Sequence, residues 1–260
     1  MKQWHRPMPD MTHTREARRG ARAHVIDLSA PENRERAVDV RLHGIAGENY
    51  YHREEGNPPY HHRAPGSIPA LLVREGLLGR LLEANTLLAP HGLELYLFDA
   101  YRPVEVQNYF FDHWVPSVLR KENPQWSEEE VIEETSRYWA KGAPSSADVD
   151  PLSPPPHATG GVVDLTIRVC ASGALLDMGS DFDAVDVVSF ADHFEQLALR
   201  RPLSAREEAA LLNRRLLYWV MSEVGCVVNP NEWWHFGSGD QLSAVLSGRP
   251  YAVYSTMDIV

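Results

Sequence analysis

Two short stretches carry residue types that could do chemistry. In "HATGGVVD", His157 and Asp164 stand seven residues apart across a Gly-Gly pair. Glycines let the backbone bend and approach closely, so a residue at a loop end and another on a strand can point at one centre. In "NEWWHF", Glu232 and His235 flank Trp233 and Trp234. Each pair alone is a weak signal, since a histidine before a strand is usually a surface residue and a strand aspartate is often capped or paired. Joined, His157, Asp164 and His235 make a His₂-carboxylate set. Three protein ligands with an open fourth position is the catalytic zinc pattern, in contrast to the closed four-ligand structural one. Glu232 then becomes the natural base for the water that the ion activates. No cysteine is placed to complete a structural site.

Two other readings compete. A Glu-x-x-His pair also occurs in di-iron helical bundles, where both side chains face one way. That reading needs a second copy, and no other glutamate of the chain has a histidine three residues later. In the blander reading, Trp233 and Trp234 fill a core strand or a pocket wall and Glu232 merely flanks them. In an extended strand, positions three apart face opposite sides. Glu232 and His235 can therefore share a site only if the segment is bulged or curled.

The bulk numbers bound what the rest can be. With 260 residues, 43% hydrophobic and 23% charged, the chain has material for a sizeable core in one large or two small domains. A net charge of −11 argues against a nucleic-acid partner, which needs a basic face. Cys170 and Cys226 read as small buried hydrophobes, not as a disulfide framework. No run approaches the roughly 20 apolar residues of a membrane span. The first 25 residues are polar and basic without the apolar stretch of a secretory signal, so the cytoplasm is the expected compartment.

The elements that must position the candidates follow from pattern. Residues 1–35 read as an arm and 36–260 as one α+β domain, a small and mostly antiparallel sheet with helices packed on it and the zinc site at the sheet. "VDVRL" (38–42) alternates as a short strand, and residues 48–67 form a long aromatic loop that covers something. Leucines 71, 72, 77, 78, 81 and 82 predict a helix over 69–88. "LELYLFDA" (93–100) is a strand. Pro103 opens a helix with Val104, Gln107, Phe111, Trp114 and Val118 along one stripe. Capping boxes at Ser127 with Glu130 and Ser204 with Glu207 open two more helices, the second stopping at Gly225. "VVDLTIRV" (162–169) is a buried strand, and "CVVNPNEWWHF" closes as one or two strands.

Several of these stretches carry a resemblance. "FDAYRP" (98–103), "HATGGVVDLTI" (157–167), "MGSDFD" (178–183), "NRRLLYWVMSEVG" (213–225) and "EWWHF" (232–236) stand in the order found in the zinc D-alanyl-D-alanine dipeptidases, the VanX-type enzymes of vancomycin resistance. The similarity runs from about residue 38 to 240. It implies one catalytic Zn²⁺ per chain on His157, Asp164 and His235, with Glu232 as the base that passes a proton to the leaving amine. It further implies Arg102 as the stabiliser of the developing oxyanion and Asp183 as the partner of the substrate's ammonium. Arg102 could instead simply pair with Asp99, and Asp183 could be a turn residue.

The chain departs from the family pattern at Pro155, where a serine is common, and at Val162, where a small alanine is common. Pro154, Pro155 and Pro156 remove hydroxyl and backbone donors, so amine recognition is expected to shift, with Tyr50 or Tyr51 as candidates. His61, His62, His113 and His193 are assigned no role. The resemblance implies hydrolysis of D-Ala-D-Ala or a related D,D-dipeptide, a small-molecule partner and no membrane span. It leaves antibiotic resistance, self-protection and cell-wall recycling equally open, and oligomeric state is not legible. The alternatives are a D,D-carboxypeptidase or other cell-wall peptidase of the same superfamily, and a non-catalytic zinc-bearing binding module.

Overall fold

The computed structural model describes residues 2–139 and 141–259. Its strands are β1 (Ala37–Asp39), β2 (Ala46–Gly47), β3 (Leu72–Arg74), β4 (Leu93–Asp99), β5 (Val162–Val169), β6 (Val227–Val228) and β7 (His235–Gly237). The larger sheet runs β2-β4-β5-β7-β6, and β1 pairs with β3 in a separate antiparallel ribbon. Within the larger sheet β2 and β4 are parallel, and the other three pairings are antiparallel. The expected α+β single domain is what forms.

β4 and β5 are buried along most of their length, which explains why both read as near-continuous apolar runs instead of alternating ones. The helix Glu75–Leu88 packs on β4, and the long helix Ala205–Glu223 packs on that helix. Leu77, Leu81, Leu95, Leu97, Leu165, Ile167 and Val220 are fully buried in the resulting core. Each such side chain contributes about 1.5–3 kcal/mol by leaving water. Trp4, Met8 and Met11 of the N-terminal arm are buried in the same core.

Both capping boxes form with reciprocal bonds, Ser127 with Glu130 and Ser204 with Glu207. The helix at Ala205–Glu223 ends before Gly225, which takes the left-handed φ of +76°. Four expectations shift. The helix predicted over 69–88 starts only at Glu75, because Leu72–Arg74 is held extended by β1 and by Gly160 O, 2.9 Å from Arg74 N. The strand predicted at 38–42 stops at Asp39, whose carboxylate accepts from Arg41 N and caps a 3-10 turn over Val40–His43. After Pro103, a π turn (Phe110–Trp114) separates helix Val104–Tyr109 from helix Val115–Glu122. One wide turn advances the helical phase, so Phe110, Val115 and Leu119 are buried where Phe111, Trp114 and Val118 were expected. Cys226 is buried, but Cys170 is exposed, because it sits in the turn just past the end of β5; both are free thiols.

Candidate active site

The centre is assembled across three neighbouring strands. Asp99 at the end of β4 lies opposite Asp164 of β5, and Asp164 lies opposite His235 of β7. An irregularity in register between Leu97 and Asp99 brings Asp99 into this row. His157 arrives from a 3-10 turn (Pro156–Thr159) just before β5. Gly160 closes that turn with φ +67°, and a Cβ there would lie 2.3 Å from Met257 Sδ. The glycine pair is thus needed for both its dihedral and its lack of a side chain. The curl expected around Glu232 is present as turns at 229–235, with Glu232 N bonded to Asn229 O and His235 N to Glu232 O. Glu232 Oε2 consequently lies 3.3 Å from His235 Nδ1.

His157, Asp164 and His235 are all buried, and one ligand atom from each lies within 4.8 Å of the others. His157 Nδ1 is 2.7 Å from Ala100 O. A carbonyl only accepts, so Nδ1 carries the proton and Nε2 turns a lone pair inward, the usual support for a metal-binding histidine. That Nε2 is 3.3 Å from His235 Nδ1 and 3.3 Å from Asp164 Oδ2. Asp164 Oδ1, also buried, has no hydrogen-bonding donor. Two inward ring nitrogens and an orphaned carboxylate oxygen are the donor set that a borderline-soft divalent ion such as Zn²⁺ takes. The residues fit the ion.

The charges around this set are opposed in a definite way. Burial works against ionisation of Asp164, but His157 and His235 outweigh it and hold the carboxyl well below its usual range. Burial likewise works against protonation of His235, and Asp164 and Glu232 together raise it above the ordinary imidazole value. Arg102 donates from Nε to Asp99 Oδ2 at 2.8 Å and from a terminal nitrogen to Asp164 Oδ2 at 2.9 Å. Arg102 therefore does pair with Asp99, as one alternative had it, and it pairs with Asp164 of the centre as well. Its guanidinium lies 4.4 Å from the Tyr51 ring centroid and 5.2 Å from that of Trp139. Glu232 Oε2 accepts from Asn229 Nδ2 at 2.7 Å, which orients it.

A cavity of about 570 Å³ opens over the centre and is lined by Arg102, His157, Asp164, Asp183, Glu232 and His235, among others. The six residues singled out as metal, catalytic and ammonium candidates all line it. Asp183 has a left-handed φ of +55° and is half-buried. Its Oδ2 accepts from Tyr51 OH at 2.5 Å and also from Tyr60 OH. Burial raises its carboxyl to about 7, although Arg102 pulls the other way. Of the two tyrosines named as candidates for amine recognition, Tyr51 contacts Asp183, while Tyr50 packs on Phe98 and Phe182. Pro155 and Pro156 line the cavity, and Val162 is buried beside Gly237. Sequence reasoning missed Tyr60, Trp139 and Asn229. The aromatic density of residues 48–67 was the available signal for Tyr60; the other two had none.

A His₂-carboxylate set with a neighbouring carboxylate, open to a cavity, defines the donor arrangement of a metallopeptidase. Residues 68–255 match the peptidase family described as D-ala-D-ala dipeptidase, and the chain belongs to this M15 peptidase family, a family of metallopeptidases. It is similar to a D-alanyl-D-alanine dipeptidase of Synechocystis, 30% identical over 226 residues covering 83% of each chain. It is also similar to the enzyme of that name from Enterococcus faecium, at 31% over 66% of this chain and 71% of the relative. The Escherichia coli K12 enzyme of that name is 27% identical over 64% of this chain and 65% of the relative. Membership makes the chain a hydrolase by class. No helix among the described residues is long and apolar enough to cross a membrane.

Proposed function

We propose that the chain is a zinc-dependent dipeptidase that hydrolyses D-alanyl-D-alanine or a closely related D,D-dipeptide. The observation that carries this reading is the meeting, in one cavity, of a His157-Asp164-His235 donor set, a carboxylate at Glu232 and a half-buried carboxylate at Asp183. Zn²⁺ held by these three side chains would supply Lewis acidity toward water and toward the scissile carbonyl. Glu232, oriented by Asn229, takes the proton of the attacking water and delivers it to the departing amine. Arg102 keeps its charge despite burial, because Tyr51, Asp99 and Asp164 outweigh desolvation, and it offers N–H groups where the carbonyl oxygen gains charge. Asp183 receives the substrate's ammonium, with Tyr51 and Tyr60 setting the carboxylate's orientation.

A free dipeptide is the favoured substrate because the Asp183 carboxylate stands on the cavity lining, half-buried and held by Tyr51 and Tyr60, and capping the amine would leave it without a cation. The test is incubation of the zinc-loaded protein with D,D-, L,D- and L,L-dipeptides and with a pentapeptide stem. Selective release of D-alanine from D-Ala-D-Ala is expected. Comparable cleavage of the pentapeptide would instead make it a D,D-carboxypeptidase, and no cleavage of any peptide would leave a zinc-bearing binding module.

A further inference from the structure

The N-terminal arm is fastened at both ends. Toward its start Trp4 Nε1 donates to Glu223 at 2.8 Å, Met8 N donates to Glu195 at 2.9 Å, and Arg15 pairs with the buried Asp192. Toward its end Gln241 Nε2 donates to Arg22 O at 2.9 Å and to His24 O at 2.6 Å, and Asp27 N donates to Ala252 O at 2.9 Å. Between these anchors the helix Thr12–Arg18 and the turn after it run along the cavity, and Arg18, Arg19 and Arg22 line it. The arm is therefore a strap that forms part of the wall. It lies outside the segment that matches the family, which begins at residue 68.

A dipeptide is a zwitterion, and its two charged ends need partners of opposite sign. The amine end has Asp183. Five cations line the cavity: Arg18, Arg19, Arg22, Arg102 and Lys141. Arg102 is committed to Asp99 and Asp164, Lys141 pairs with Asp112, and the Arg22 guanidinium donates to Ser153 O. Arg18 and Arg19 have no carboxylate partner among the described residues. The acidic lining residues do not answer them: Asp164 and Glu232 belong to the centre, Asp183 is held by two phenols, and Asp186 caps the Val187 N–H.

On the dipeptidase reading, we propose that Arg18 and Arg19 form the subsite for the α-carboxylate of the substrate's second residue, so that the strap selects peptides with a free C-terminus. Guanidinium groups suit this task because their paired N–H donors match a carboxylate bidentately. Both side chains are long, and the cavity of about 570 Å³ leaves room for them to reach a small ligand. Arg19 is exposed and Arg18 half-buried, so neither is locked by the core, and each can close on a carboxylate as it arrives.

The experiment compares D-Ala-D-Ala with its C-terminal amide on the zinc-loaded full-length protein, in the parent, in Arg18→Gln/Arg19→Gln and in Arg18→Lys/Arg19→Lys. The parent should prefer the free acid. The Gln pair should cut that preference, as a ratio of kcat/KM, by roughly ten- to a hundredfold, chiefly through KM. The Lys pair, which keeps the charge, should restore part of it. An unchanged ratio in the Gln pair overturns the subsite. So does an equal fall for acid and amide, which would mark a purely structural strap. A parent that cleaves neither peptide removes the dipeptidase reading and the subsite together.

Discussion

Asp164 is fully buried and Asp183 half-buried, and both carboxylates face the same cavity. Asp164 sits mid-sheet, locked by register between β4 and β7, with two imidazoles and a guanidinium within about hydrogen-bonding reach. Asp183 sits on a loop in a left-handed conformation, and its contacts are two phenol hydroxyls from another loop. Burial penalises both charges. At Asp164 the cations win and the carboxyl is held far down; at Asp183 they do not, and it rises to about 7. One region is charged before anything binds. The other is missing a cation that a substrate ammonium would bring. On the proposed function, the centre that would hold the ion is built on rigid strands, and the wall that would admit the substrate is built on loops.

The largest test of this contrast removes a strand-borne ligand. His235→Ala should abolish zinc binding, taking metal content from about one ion per chain toward zero, and should reduce turnover to background. Elemental analysis of the purified variant measures the first and D-alanine release the second. Full zinc content in that variant would mean the sheet row is not the metal site. Glu232→Gln should behave differently. It keeps the size and the hydrogen-bonding shape of a side chain that is only about a quarter exposed, at 27%. Zinc should stay, while turnover falls by on the order of 10²–10⁴, the usual worth of a general base. Near-parental turnover with zinc retained would reduce Glu232 to a flank of the tryptophans, and lost zinc would move it into the ligand shell.

The loop side answers to substrate rather than to metal. N-acetyl-D-Ala-D-Ala lacks the ammonium and would leave the half-buried Asp183 carboxylate without its cation. Its kcat/KM should be lower than that of the free dipeptide by roughly 10²-fold, the scale of stranding one partner of a buried charge pair. The same comparison on Asp183→Asn should nearly vanish. Equal discrimination by parent and variant would place amine recognition elsewhere in the cavity.

The two regions also differed in how far the sequence exposed them. His157, Asp164 and His235 could be picked out because the short motifs "HATGGVVD" and "EWWHF" carry them and the family resemblance joins the two; the register of β5 with β7 then sets Asp164 opposite His235. The curl at Glu232 was legible from the conflict between a period of two and a spacing of three. Tyr60, Trp139 and the arginines of the strap were not, because their positions depend on how long loops and the arm fold back across the body. Short β3 was hidden for a related reason. Its three residues run straight into an apolar helix, and its partner β1 lies over thirty residues earlier. The π turn at Phe110–Trp114 leaves the composition of the helix unchanged and alters only its phase, so it misassigned a buried face without disturbing the helix itself.

The smallest expected effect bears most directly on the contrast between the two carboxylates, because it reads protonation without chemistry. In the metal-free protein the Asp183 carboxyl titrates near 7, against an ordinary value of 3.8 once the chain unfolds. Below pH 3.8 both states hold the proton, so this group contributes no pH dependence there. Between that value and about 7 the unfolded state releases the proton while the folded state keeps it. The unfolded state then binds fewer protons, and stability falls as pH rises across this window, levelling off above about 7. Asp164 has the opposite sign: its depressed value contributes stability above the unfolded value, lost only as pH falls well below it, so it adds no slope from pH ~5 to ~8. Urea midpoints of parent and Asp183→Asn, measured with chelator present, should therefore diverge steadily from pH ~5 to ~7 and run parallel above. The variant should be the more stable of the two at the upper end, since it has removed a charge that the folded state otherwise holds, partly desolvated, with two phenols and no cation of its own. A constant difference across the whole range would mean that Asp183 is ionised before any ammonium arrives, and the distinction between a precharged centre and a ligand-completed wall would fall.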